Sequence, residues 1–167
     1  MLFTGLALLV VLAVLGVFAL DPARVWRLAG PPDLGDVSFE TLARRTTPND
    51  ALACPPGLCR AKSDLIPPVY AIDAPGLRAA FARALAGELR LEKVGSDDAA
   101  LSDRWIQRSA LLGFPDTIVV RVLPAGPGRS TLALYSRSQI GAGDLGVNRA
   151  RIERWLALLG NAVPPIR

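Results

Sequence analysis

The chain has 167 residues, room for one domain of ordinary size and little more. It carries 19 Lys+Arg against 15 Asp+Glu, a net charge of +4, and 51% of it is hydrophobic, with much of that excess in the first twenty residues. There is no histidine and there are two cysteines, which excludes a Ser-His-Asp triad, an HExxH zinc site, histidine acid–base catalysis and a four-cysteine zinc centre.

From Met1 to Leu20 no side chain is charged and Thr4 is the one polar group. As a helix this stretch would reach roughly 30 Å, one bilayer core. The basic start, shorter apolar run and A-x-A exit of a cleaved signal are missing, so an uncleaved transmembrane anchor over 1–20 is expected, ahead of a cleaved signal or a buried core helix. Arg24, Trp26 and Arg27 then fall where interfacial anchors belong. Arg24 and Arg27 follow the segment and no basic residue precedes it, which by the positive-inside rule favours a cytoplasmic domain. The cysteines favour the opposite side. Cys54-Pro55-Pro56-Gly57-Leu58-Cys59 fits neither a C-x-x-C redox motif nor a zinc knuckle, and a local structural disulfide is its simplest meaning; free thiols in a reducing compartment are the alternative. On balance the domain is expected on the periplasmic side.

Residues 21–64 are expected to be a linker and cysteine loop, rich in Pro, Gly, Asp and Thr, with one possible helical turn near Phe39 to Arg45. Residues 65–167 are expected to form the globular domain. Pro67 to Ile72 predicts a short edge strand, because prolines are tolerated there. Asp73 can cap a helix over about Pro75 to Leu89, with Leu77, Ala80, Phe81, Ala84 and Leu85 as its apolar stripe. Strands are predicted at Arg90 to Val94 and Trp105 to Leu111, then a hairpin of Thr117–Leu123 and Ser130–Arg137 about the turn Pro124-Ala125-Gly126-Pro127-Gly128. The last helix, about Val147 to Leu159, takes Asn148 or Asp144 as cap and buries Ile152, Trp155, Leu156 and Leu159. This order predicts an α+β fold behind the amino-terminal transmembrane helix: a two-layer sandwich, an antiparallel sheet of four to five strands with two helices on one face.

Gly141-Ala142-Gly143-Asp144-Leu145-Gly146 is a literal G-x-G-x-x-G at a helix start. A dinucleotide fold would need a parallel strand after that helix and an acidic residue about twenty positions on, and only seven residues follow Gly160. What survives is an anion site: glycine-rich backbone at a helix amino end, with Arg137 before it and Arg149, Arg151 and Arg154 after it. The competing structural meaning is that Asp144 caps the helix, the glycines turn the chain and the arginines pair with Asp144, Asp116 and Glu153. Helical spacing directs Asn148, and in part Arg149, towards the sheet, where they either anchor the loop on Asp116 or Ser109 or line a pocket.

Tyr135-Ser136-Arg137, Gly141, Asp144-Leu145-Gly146-Val147-Asn148-Arg149 and Arg151-Ile152-Glu153 resemble the carboxyl signature of the domain-of-unknown-function 1499 family of bacteria and plastids. Arg108-Ser109 with Gly113-Phe114-Pro115-Asp116 is similar to its middle motif, and Pro48-Asn49-Asp50 with the Cys54 to Cys59 loop to its amino-terminal one, the likeness covering about residues 46 to 160. The cysteine loop departs from many relatives, with four intervening residues in place of five. The resemblance implies a small α+β domain, often behind a membrane anchor or lipidated start, with no established activity and no catalytic residues to carry over.

The expected protein is therefore a single-pass, non-enzymatic component of a bacterial inner membrane. It would bind an anionic ligand such as a lipid head group, or an envelope partner protein, through Arg137, Gly141, Gly143, Asp144, Gly146, Asn148, Arg149 and Arg151, with Arg108, Ser109 and Asp116 as structural supports. The alternative is a hydrolase or transferase using Asp116 and Asp144 as acid and base, with Arg149 holding an anionic transition state. No cofactor, metal or nucleic acid is expected: carboxylates are scattered, and the arginines are not interleaved with stacking aromatics.

Overall fold

The computed structural model describes residues 22–166 together with Gly5, Ala7, Val11, Leu12 and Gly16. A short helix α1 (Pro22–Arg27) is followed by β1 (Asp50–Ala53), α2 (Ala74–Ala84), β2 (Leu91–Asp97), β3 (Ser102–Arg108), β4 (Pro115–Pro124), β5 (Ser130–Ser138) and α3 (Val147–Ala162). The strands form one antiparallel sheet in the order β1-β5-β4-β3-β2.

The alternation of β4 and β5 fixes the two faces. Ile118, Val120, Val122, Leu132 and Leu134 face α2 and α3, joining Leu77, Phe81, Ile152, Trp155 and Leu159 in the main core. Asp73 caps α2 as expected, its carboxylate accepting from the Gly76 N–H at 2.8 Å. The helix ends at Ala84, five residues before Leu89, because the chain turns at Leu85 to start β2.

The opposite face is covered by irregular chain. Phe39, Leu52, Cys54, Val119, Ala133 and Tyr135 form a second buried cluster, with Val37, Leu42, Leu58 and Cys59 packed against it. Cys54 and Cys59 are joined by a disulfide, which closes the loop that follows β1.

Several expectations are corrected. Among the described residues no helix is long and apolar enough to cross a membrane. The expected span over 1–20 lies outside the described residues apart from five positions, and α1, which follows it, has six residues and contains Arg24 and Arg27. Six residues rise only about 9 Å as a helix, against a core of about 30 Å. Within the expected linker, residues 37–64 contribute Phe39, β1 and the disulfide loop to the domain itself. The edge strand expected at Pro67–Ile72 reduces to single bridges from Tyr70 to Ser130 and Pro165, and the sheet edge beside β5 is formed by β1.

Candidate functional site

At one end of the sheet the helix-facing positions turn polar. Gln107 on β3, Asp116 on β4 and Ser138 on β5 lie opposite one another in register, with Ser136 two residues back along β5. Asn148 and Arg151, one helical turn apart on α3, lie over them, and all six residues are buried. A buried guanidinium needs partners, and every nitrogen of the Arg151 guanidinium has at least one. Its Nε donates to Gln107 Oε1 at 2.7 Å, its Nη1 to Ser136 Oγ at 2.8 Å and Asn148 Oδ1 at 2.6 Å, and its Nη2 to Asp116 Oδ2 at 2.5 Å.

The same network ties down the glycine-rich loop. Asn148 Nδ2 donates to the Asn49 carbonyl, Ser138 Oγ and Asp144 Oδ2, and Asn49 Nδ2 donates to the Gly141 carbonyl at 2.6 Å. Asp144 accepts in addition from the N–H groups of Gly146 at 3.0 Å and Asn148 at 2.8 Å, satisfying donors that the start of α3 would otherwise leave open. The residue before α3 is Gly146 at φ 81°, so Asp144 serves the helix start from two residues upstream rather than from the cap position.

The arginines do not gather around this loop. Ser136 points to the helices, so its neighbour Arg137 points to the other face of the sheet, where Nη2 donates to the carbonyls of Leu34 and Gly35 at 2.8 Å. Burial and the nearby Arg45 and Arg104 hold the Arg137 guanidinium below its usual pKa, with Tyr135 and Asp33 opposing. Arg149 turns outward to Glu153 at 2.9 Å, and Arg154 pairs with Glu88 at 2.7 Å. Arg151 alone of the four enters the layer between the helices and the sheet.

Between the 109–114 and 139–147 loops opens a cleft of about 290 Å³. Phe114, Ile140, Leu145 and Val147 give it apolar walls, Gly141 and Gly143 lie at its rim, and Ser109, Asp116, Ser138 and Asp144 supply its polar groups. The 109–114 loop is braced by Ser109, whose Oγ accepts from the Phe114 N–H at 3.0 Å, and by Arg108, which reaches the Gly113 carbonyl. Trp26 of α1 stacks on Phe114 from outside, ring centres 4.3 Å apart, and donates to the Leu112 carbonyl. Asp116 and Asp144 thus share one cleft, while Arg137, Arg149 and Arg151 do not line it. Among the described residues no cluster of three or more Cys, Asp or Glu has metal-binding geometry.

Asn49, Gln107, Ser136 and Ser138 join the seam without standing among the residues expected at the site. For the three strand residues the available signal was parity: each falls on the core-facing side of its strand yet is polar.

The fold and this polar seam define an α+β domain in which the last helix is locked to a five-stranded antiparallel sheet through buried hydrogen bonds. The family described as "Protein of unknown function (DUF1499)" matches residues 43–159, and the chain belongs to it. Comparison with curated proteins gave no significant match.

Proposed function

We propose that this domain is a non-catalytic binding module whose cleft between the 109–114 and 139–147 loops takes a small apolar group carrying a hydrogen-bond donor, such as an alkyl ammonium or alcohol. The lining carries the proposal: four apolar side chains, two carboxylates and two serines, with no basic residue. An anion entering there would meet Asp144 and the Arg151-paired Asp116, with no guanidinium in the lining to receive it, so the geometry favours a donor over the lipid phosphate suggested by the arginine-rich sequence. At about 290 Å³ the cleft sits at the small end of ligand pockets and suits one short chain or ring. A catalytic use of Asp116 and Asp144 is less favoured, because Arg149, its anion-holding member, is turned outward to Glu153. The Cys54–Cys59 disulfide supports work in an oxidising compartment outside the cytoplasm.

The test is titration with decylammonium, decanol and decanoate below their aggregation limits, following the amide resonances of Gly141 and Gly143. The ammonium and alcohol should shift both, decanoate should bind more weakly, and Ile140→Trp, which fills the cleft, should abolish all shifts. Tighter binding of decanoate, or shifts unchanged in Ile140→Trp, would refute the proposal.

A further inference from the structure

The rim of the cleft carries apolar side chains that the fold does not use. Leu111 is 88% exposed, Leu145 fully exposed, Leu28 90% exposed, and Leu112 and Val147 are about half-exposed. They stand on three adjacent tips. Leu145 and Val147 line the cleft with Phe114, Leu111 and Leu112 lie in the loop that ends at Phe114, and Leu28 follows Trp26, which stacks on Phe114.

Leu145 is the most telling of these. It is held at φ 53°, the left-handed conformation in which a residue with a Cβ is strained and glycine or asparagine is preferred. Its side chain stands fully exposed at the mouth of the cleft. Folding gains from neither feature, so the apolar group is explained by something it meets outside the domain.

The geometry points to a lipid surface as that partner: the three tips dip into the head-group region and the cleft opens towards the bilayer. Projecting tips can enter lipid without the flat complementary area that a protein partner requires. Arg90 is exposed at the same end, with Arg108 partly so, which suits the anionic head groups around inserted leucines. The chain also enters the domain here, through α1 against Phe114, and the twenty residues before Asp21 carry no charge. The inference rests on the proposed cleft only for the direction from which a ligand would arrive.

Because the described structure has no free cysteine, Leu145→Cys, Leu111→Cys and Asp98→Cys each give a unique thiol in the full chain for an environment-sensitive dye. Asp98 lies in the β2–β3 connection at the far end of the sheet. With vesicles of phosphatidylglycerol and phosphatidylcholine, dyes at 145 and 111 should shift to the blue and be quenched by head-group nitroxide lipids, while the dye at 98 stays as in water. Ile140→Trp should leave those shifts intact, so loss of alkyl ligand binding and loss of vesicle contact are read separately. A dye at 145 that stays in water, a dye at 98 that moves equally, or a shift at 145 that appears without vesicles and grows with protein concentration would each overturn the proposal, the last in favour of self-association.

Discussion

Removing Arg151 tests whether the polar seam is a structural lock. In Arg151→Met the apolar stem of the side chain is retained and four hydrogen bonds disappear. Ser136 and Asn148 keep each other, since Ser136 Oγ donates to Asn148 Oδ1 at 2.5 Å. Asp116 loses its ion-pair partner, and Gln107 Oε1 loses its donor, both with little access to water. Leaving a buried charge without its partner costs about 3–5 kcal/mol, a large part of the stability of a domain this size. Asp116→Asn alone leaves Arg151 with three acceptors and should cost about 1–2 kcal/mol. In the Arg151→Met background the same Asp116→Asn change removes the unpaired charge, so the double variant should be more stable than Arg151→Met alone. Urea unfolding of the four proteins, with equal slopes, gives the coupling energy, expected to be about 2 kcal/mol or more. A cost below about 1 kcal/mol for Arg151→Met, or a double variant less stable than that single one, would show that Asp116 and Arg151 do not act as a unit.

Three further outcomes follow from the same contacts. Cys54→Ser with Cys59→Ser opens a six-residue loop and should lower stability by about 2 kcal/mol in the chain-entropy account, seen as a lower urea midpoint that reducing agent reproduces in the wild type. Asp144→Ala removes three acceptor contacts at the start of α3 and should cost about 1–2 kcal/mol in thermal unfolding, with wild-type stability in the variant refuting the anchoring role. Glu88 is held down from 4.5 to about 2, first by the Arg154 guanidinium and then, against the opposing effect of burial, by Gln107 and Trp155. A depressed carboxyl contributes stability above its unfolded value that is lost as pH falls towards its folded one, so Glu88→Gln should flatten the fall in stability between about pH 4.5 and 2. An unchanged slope would remove Glu88 from the acid response.

What the sequence revealed of the fold, and what it hid, divides by the strength of local periodicity. β4 and β5 alternate over many residues and α2 carries an apolar stripe, so sheet, hairpin and helix were legible. β1 was not: Asp50-Ala51-Leu52-Ala53 is four residues long and three of them are buried, so no alternation of polar and apolar marks it. It is a strand only because β5 offers it an edge. Phe39 was likewise hidden, since it packs from irregular chain whose conformation is set by the sheet face beneath it.

The candidate site came apart for a more instructive reason, closeness in sequence not being closeness in space: Gly141, Gly143 and Asp144 line the cleft, and the arginines do not. Arg137 precedes the glycine loop by four residues, yet strand parity sends it to the face opposite Ser136. On α3 the inward direction is set by the largest apolar side chain, Trp155, with Ile152 and Leu159 beside it. Centred on Trp155, the helix turns Asn148 inward as its spacing predicts, and turns Arg151 rather than Arg149 in beside it. That one turn of the wheel decides the chemistry of the site. With Arg151 paired to Asp116 and Arg149 to Glu153, the lining of the cleft holds no basic residue, and its chemistry is that of Asp144, two serines and apolar walls.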